Sequence, residues 1–127
     1  MLAMLACLAA TAIDGDSIRC RNLGEVRLLA IDTADYRSSR PCREGYGDHV
    51  CDNAQAKAGK VAMKAALRMG PVTVLPVARD RYGRMVAQVA VGGRDLSCWQ
   101  LAHGGARYLA RYDNDGRIRA TCPSLAR

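Results

Sequence analysis

An arginine set inside an apolar run is the feature that most constrains this fold. Val26-Arg27-Leu28-Leu29-Ala30-Ile31 reads as a strand apolar enough to lie centrally in a sheet. A buried guanidinium needs a partner, because an unpaired buried charge is very costly. Asp32 ends the same run, and Asp16 sits in a second short stretch, Ile13-Asp14-Gly15-Asp16-Ser17-Ile18-Arg19. These two carboxylates are its natural partners. The same grouping, carboxylates from neighbouring strands beside an arginine, also suits a divalent cation and a phosphate. Alone, Asp14 and Asp16 would more simply build a hairpin turn.

The chain order builds a frame around those residues. Residues 5–13 read as a strand, Asp14-Gly15 as a hairpin turn, and residues 16–21 as the returning strand. Asn22-Leu23-Gly24 turns into a third strand over 25–31. Residues 35–50 read as a loop. Asp52 or Asn53 can cap an alanine-rich helix over 54–69, with Ala58, Val61, Ala62, Ala65 and Met69 as its apolar stripe. Lys57, Lys60 and Lys64 form a solvated row. Gly70-Pro71 stops the helix. Residues 72–77 and 84–91 are strands joined by the turn Asp80-Arg81-Tyr82-Gly83. A second helix starts at Asp95 or Ser97 and runs through His103, with Trp99 in the core. Residues 107–112 read as extended, 113–116 as a turn, and the tail beyond has one anchor, Cys122. Three strands, a helix, two strands and a helix fit an α+β, mostly β chain: a five-stranded OB-type barrel carrying two helices, in one domain spanning 1–127. Such barrels commonly bind nucleic acid on an open face.

Charge and cysteine content narrow the setting. The formal net charge is +7, from 19 basic and 12 acidic residues, and only Lys57, Lys60 and Lys64 are lysines. Arginine-rich basic chains favour polyanions, although arginine codons in a GC-rich genome would produce the same bias. Six cysteines occur, with no CxxC pair and only two histidines, which argues against zinc and for disulfides in an oxidising, extracytoplasmic compartment. Cys7 and Cys20 face each other across the first hairpin if the register allows. Cys42 and Cys51 would clip a loop of about ten residues. Six cysteines permit fifteen pairings in all. The apolar N-terminus is far too short to span a membrane and lacks the basic residues that open a signal peptide. Residues 1–5 are expected to be either the remnant of a signal segment or part of the lead into the first strand. His49 and His103 have no ligand spacing and are assigned no role.

Asp14-Gly15-Asp16-Ser17, Arg27-Leu28-Leu29-Ala30-Ile31-Asp32-Thr33-Ala34-Asp35 and Asp80-Arg81-Tyr82-Gly83-Arg84 together resemble, in order and spacing, the signature blocks of the staphylococcal nuclease (thermonuclease) family. The cysteine pattern, with Leu96-Ser97-Cys98 and Thr121-Cys122-Pro123, is similar to an exported bacterial branch. The resemblance implies an OB barrel and a calcium-dependent endonuclease that hydrolyses DNA and RNA with low sequence specificity. It implies metal binding by Asp16, Asp32 and the Thr33 carbonyl, and phosphate binding by Arg27 and Arg84. Asp35 falls where the family has the glutamate that acts on the attacking water. Tyr82 and Tyr112 fall beside the bound nucleotide. A monomer acting on single-stranded substrate, with no stable membrane insertion, is the expected form. The family's third helix is replaced by a short tail, which Cys122 would tie to Cys98.

Two departures support a second reading. The family has proline then glutamate where this chain has Ala34-Asp35, and aspartate is one methylene shorter. A catalytically weakened or inactive nucleic-acid-binding OB module is therefore the alternative to the active nuclease.

Overall fold

The computed structural model describes residues 3–45 and 47–127. Met1 and Leu2, part of the expected signal remnant, lie outside the described residues.

The expected first strand is two short ones. Strand β1 (Leu5–Ala6) pairs antiparallel with a distant strand, and β2 (Thr11–Ala12) pairs with β3 (Ser17–Cys20). Between them Ala9 turns the chain with φ of 50°. Asn22 clamps this break: its Oδ1 accepts from the Leu8 N–H at 2.9 Å, and its Nδ2 donates to the Ala6 carbonyl at 2.8 Å. The Cys7–Cys20 disulfide closes the same corner. Strand β4 (Gly24–Leu28) lies between β3 and the later strand β7 (Met85–Val91), antiparallel to one and parallel to the other. The apolar run does not continue straight. Ala30 takes φ of 62°, and β5 (Ile31–Asp32) leaves to form a separate ladder with β9 (Arg107–Tyr108).

The segment expected as loop contains a short helix α1 (Arg40–Glu44), started at Pro41 and stopped by the left-handed Gly45. Helix α2 (Asn53–Leu67) is capped by the Asp52 side chain, which accepts from the Gln55 N–H at 3.0 Å. Its buried face is Ala56, Gly59, Met63 and Ala66, whereas Val61 and Met69 are exposed. The apolar stripe is thus rotated from the expected one. That face packs beside the Asp14–Asp16 turn: a Cβ on Gly59 would be in ordinary contact, 3.5 Å from the Gly15 Cα and 3.4 Å from the Gly104 carbonyl.

Strands β6 (Val72–Arg79) and β7 (Met85–Val91) form the long hairpin, and β8 (Arg94–Asp95) pairs back onto β7. The main sheet runs β1-β6-β7-β4-β3-β2, with β8 on β7, and curls into an OB-like half-barrel. It therefore has seven strands among the described residues, two more than expected, because the first strand divides and β8 is added. Ile18, Val26, Leu28, Val74, Val89, Val91, Met63 and Leu96 form the core inside it. Helix α3 (Leu96–His103) starts at the Asp95 cap and lies against α2. Trp99 is part-buried there, its Nε1 donating to the Ala62 carbonyl at 3.1 Å.

Strand β9 (Arg107–Tyr108) is followed by short turns, and the expected tail makes a fourth helix, α4 (Arg117–Thr121). Asp113 explains it. Its carboxylate accepts from the Ile118 N–H at 3.0 Å, the Arg119 N–H at 3.1 Å and the Tyr108 hydroxyl at 2.6 Å, satisfying donors that a helix start leaves open. Ile118 enters a second apolar cluster with Leu29, Ala30 and Ala126. The Cys42–Cys51 and Cys98–Cys122 disulfides form as expected. No helix among the described residues is long and apolar enough to cross a membrane.

The Cys98–Cys122 bond closes 24 residues and holds α4 on α3. Replacing both cysteines with serine should lower stability by about 2–4 kcal/mol in urea unfolding under oxidising conditions. An unchanged midpoint would mean that Ile118 alone seats the helix.

Candidate active site

The site is built on Arg27. Its Nη1 lies 2.6 Å from Asp16 Oδ1, and its Nη2 donates to the Ile31 carbonyl at 3.1 Å and lies 3.5 Å from Asp32 Oδ1. The β3–β4 register sets Ser17 opposite Arg27, so Asp16 emerges beside the arginine, and the Leu28 N–H donates to the Asp16 carbonyl at 2.9 Å. Asp16 Oδ2 accepts from the Thr33 N–H at 3.1 Å. Both carboxylates are buried.

Burial opposes ionisation of Asp16, but the Arg27 charge and hydrogen bonds from Arg27 and Thr33 outweigh it, and its carboxyl titrates below the ordinary value. Asp32 goes the other way. Burial and the Asp16 charge raise it, against the opposing pull of Arg107 and Arg27. Asp14 stands behind the site: its Oδ1 accepts from the Asp16 N–H at 3.0 Å and the Ser17 hydroxyl at 2.8 Å. Burial first, then the neighbouring Asp16 charge, push Asp14 up to about 7.

The turn holding these aspartates has no room to shift. A Cβ on Gly15 would sit 2.5 Å from Thr33 Oγ1. Buried Gln100, from α3, donates through Nε2 to the Gly15 carbonyl at 2.6 Å and the Gly59 carbonyl at 2.9 Å. One side chain thereby joins the Asp14–Asp16 turn, α2 and α3.

Two residues without an expected role stand at the site. Arg107, on β9, places Nη2 2.8 Å from Asp32 Oδ2 and also donates to the Asp48 carbonyl at 2.9 Å. His49, which sequence reasoning set aside, has Nδ1 3.0 Å from Asp35 Oδ2. Neither belongs to a motif block. The only sequence hint for His49 was its place two residues before Cys51, inside the ring that the disulfide closes. Asp35 is half-buried; burial, then the Asp16 charge, raise it, with His49 opposing.

Asp32, Asp35 and His49 each offer one ligand-type atom, all within 4.8 Å of one another. The Asp35 Oδ2 atom is buried, and no aligned hydrogen bond reaches it. A carboxylate pair with an orphaned oxygen fits a divalent cation. Asp16 is engaged with Arg27 and Thr33 and lies outside that group of three.

The remaining candidates lie further along the sheet. Arg84 makes no ion pair with Asp16 or Asp32. Its Nε donates to Asp80 Oδ2 at 2.6 Å, and its Nη1 lies 3.9 Å from Glu25 on β4. Tyr82 is exposed on the same turn, with the Arg81 and Arg84 guanidinium carbons 5.1 and 5.7 Å from its ring centre. Tyr112 is exposed after β9, with Arg111 over its ring.

Asp14 carries a pH signature. Its folded value lies above the unfolded one, so the folded state binds the extra proton, and stability falls as pH rises between the two values. Asp14→Asn keeps the acceptor oxygen and removes that loss. Its stability advantage over the wild type should grow by roughly 1–3 kcal/mol from pH 5 to pH 8, read by urea unfolding at each pH. A constant difference would show that Asp14 stays ionised in the fold.

Known proteins bear on these residues. The model of the staphylococcal nuclease homologue family matches residues 25–122, which include Arg27, Asp32, Asp35, Arg84 and Tyr112 but not Asp16. The chain is 29% identical over 105 residues to the SPbeta prophage-derived endonuclease YokF of Bacillus subtilis (strain 168), covering 80% of this chain and 33% of that protein. It is also 29% identical over 105 residues to Endonuclease YncB of the same organism, covering 47% of that protein. The chain thus spans between a third and about half of the length of these curated relatives. With most of its length matched in one block, this chain belongs to the staphylococcal nuclease homologue family.

Proposed function

We propose that this chain is a nuclease domain over 1–127, a cation-dependent endonuclease hydrolysing phosphodiester bonds of DNA or RNA with low sequence specificity. The observation that carries the reading is Arg27 shared between two buried aspartates, with Asp35 beside Asp32, in a chain of this family. Oxygen donors alone would favour a hard ion such as calcium. When bound, a divalent cation would offset the phosphate charge and lower the pKa of a nearby water.

Each residue then has a task of its own. Asp32 and Asp35 hold the cation, with Asp16 and the Thr33 carbonyl behind them. Arg27 and Arg84 present guanidinium groups to the charge that builds on the phosphate oxygens. Asp35, with the carboxylate oxygen that does not face the cation, would orient the attacking water. Tyr82 and Tyr112, exposed and each beside an arginine, offer faces on which an unpaired base can stack, which favours single strands. Three disulfides favour an oxidising, extracytoplasmic setting for a monomeric enzyme.

Purified oxidised protein should cut single-stranded DNA with added divalent cation and stop with a chelator, and Arg84→Ala should cut roughly 100-fold more slowly. No cation-dependent cutting above that variant would sink the enzyme reading. Asp35→Glu, which restores the missing methylene, should raise the rate, up to about 100-fold if reach is limiting. The second reading, a binding module without catalysis, is favoured by the shorter Asp35 and by Arg107 occupying Asp32. It would appear as DNA association that weakens with salt and leaves the strand whole.

A further inference from the structure

We propose that His49 is a direct ligand of the cation held by Asp32 and Asp35, and that the site therefore selects a borderline transition ion, such as Mn²⁺, over calcium. The inference rests on the reading of those two carboxylates as cation ligands and adds the donor that sets ion preference. His49 Nδ1 and Asp35 Oδ2 are 3.0 Å apart, yet no aligned hydrogen bond joins them, and the oxygen has no other donor. A misaligned pair gains little from a hydrogen bond of its own. The two atoms are well placed as neighbouring ligands. In an octahedron with bonds of about 2.1 Å, adjacent ligand atoms stand about 3.0 Å apart. Asp32 supplies the third atom, all three lying within 4.8 Å of one another.

The loop that carries His49 is held in place from several sides. The Asp35 N–H donates to the Val50 carbonyl at 2.8 Å, and the Asp52 N–H donates to the Asp35 carbonyl at 3.0 Å. Cys42–Cys51 closes the loop, and Arg107 holds the Asp48 carbonyl while pairing with Asp32. The residue next to His49 and the partner of Asp35 are thus both tied to the cation group. An imidazole nitrogen is a poor donor for calcium, which takes oxygen, and a good one for first-row transition ions.

Equilibrium binding without nucleic acid tests this independently of cutting. Electron paramagnetic resonance of oxidised protein titrated with Mn²⁺ should show one bound ion per chain, displaced by Ca²⁺ only at more than about 10-fold excess. The bound Mn²⁺ should show nitrogen modulation in its spin echo. His49→Ala should remove the modulation and weaken Mn²⁺ by about 10–100-fold, with Ca²⁺ affinity changed less than about 3-fold. His49→Asp should regain binding with the preference turned toward Ca²⁺. Absence of nitrogen modulation in the wild type would overturn the proposal whatever the variants do. So would Ca²⁺ binding as tightly as Mn²⁺, or equal losses for both ions in His49→Ala. Nitrogen-ligated Mn²⁺ in a chain that cuts neither DNA nor RNA would uphold this ligand while sinking the nuclease reading.

Discussion

The contact between Arg27 and Asp16 is the interaction on which the rest of the site depends. Removing one member of such a buried pair commonly costs about 3–5 kcal/mol, because the other charge is left uncompensated. Here the pair is supported from several directions. The Thr33 N–H donates to Asp16, the Leu28 N–H bonds the Asp16 carbonyl, and Arg27 donates to the Ile31 carbonyl. These bonds join β3, β4 and the start of the chain beyond β5. The same charges that hold the strands together shape the acidity of Asp14, Asp16 and Asp32. Stability and site electrostatics are therefore not separable here.

Around that centre the structure solves a packing problem with small residues. Gly15 and Gly59 meet where the Asp14–Asp16 turn crosses α2, and the Gln100 amide closes the junction by donating to both glycine carbonyls. Even a Cβ at Gly15 would meet Thr33, so bulk there would displace the turn that carries the aspartates. The disulfides act farther out, one at each place where short elements have little core to hold them: the β1–β2 corner, the loop of His49, and α4. A chain of 127 residues that leaves its β5–β9 ladder outside the main sheet gains from such restraint.

Much of this was legible residue by residue. Arg27 in an apolar run announced a paired charge, and the pairing with Asp16 and Asp32 follows from the cost of burying it alone. Asp52 and Asp95 were recognisable caps because an acceptor side chain before a helix has one obvious task. Cysteine proximity across the short loop was equally plain, whereas Cys7–Cys20 depended on a register the sequence left open. Some departures from expectation come from contacts between residues distant in sequence, others from caps only a few residues away. Asn22 divides the first strand by bonding across a corner. Helix α2 presents Gly59 to Gly15 and Gly104, partners far away in the chain. Asp113 starts a helix where composition suggested a tail.

Local sequence carries the main strands, helices α2 and α3, the family, the charge balance and the set of aspartates and arginines available for chemistry. Those depend on local periodicity, capping and motif spacing, which neighbouring residues carry. Which of these groups share a site depends on contacts across the fold. The fold set Arg107, 75 residues away, on Asp32, held Arg84 against Asp80 and Glu25, and brought His49 to Asp35. Side-chain chemistry at a few ångströms depends on register and loop closure, and no local pattern in the chain encodes either.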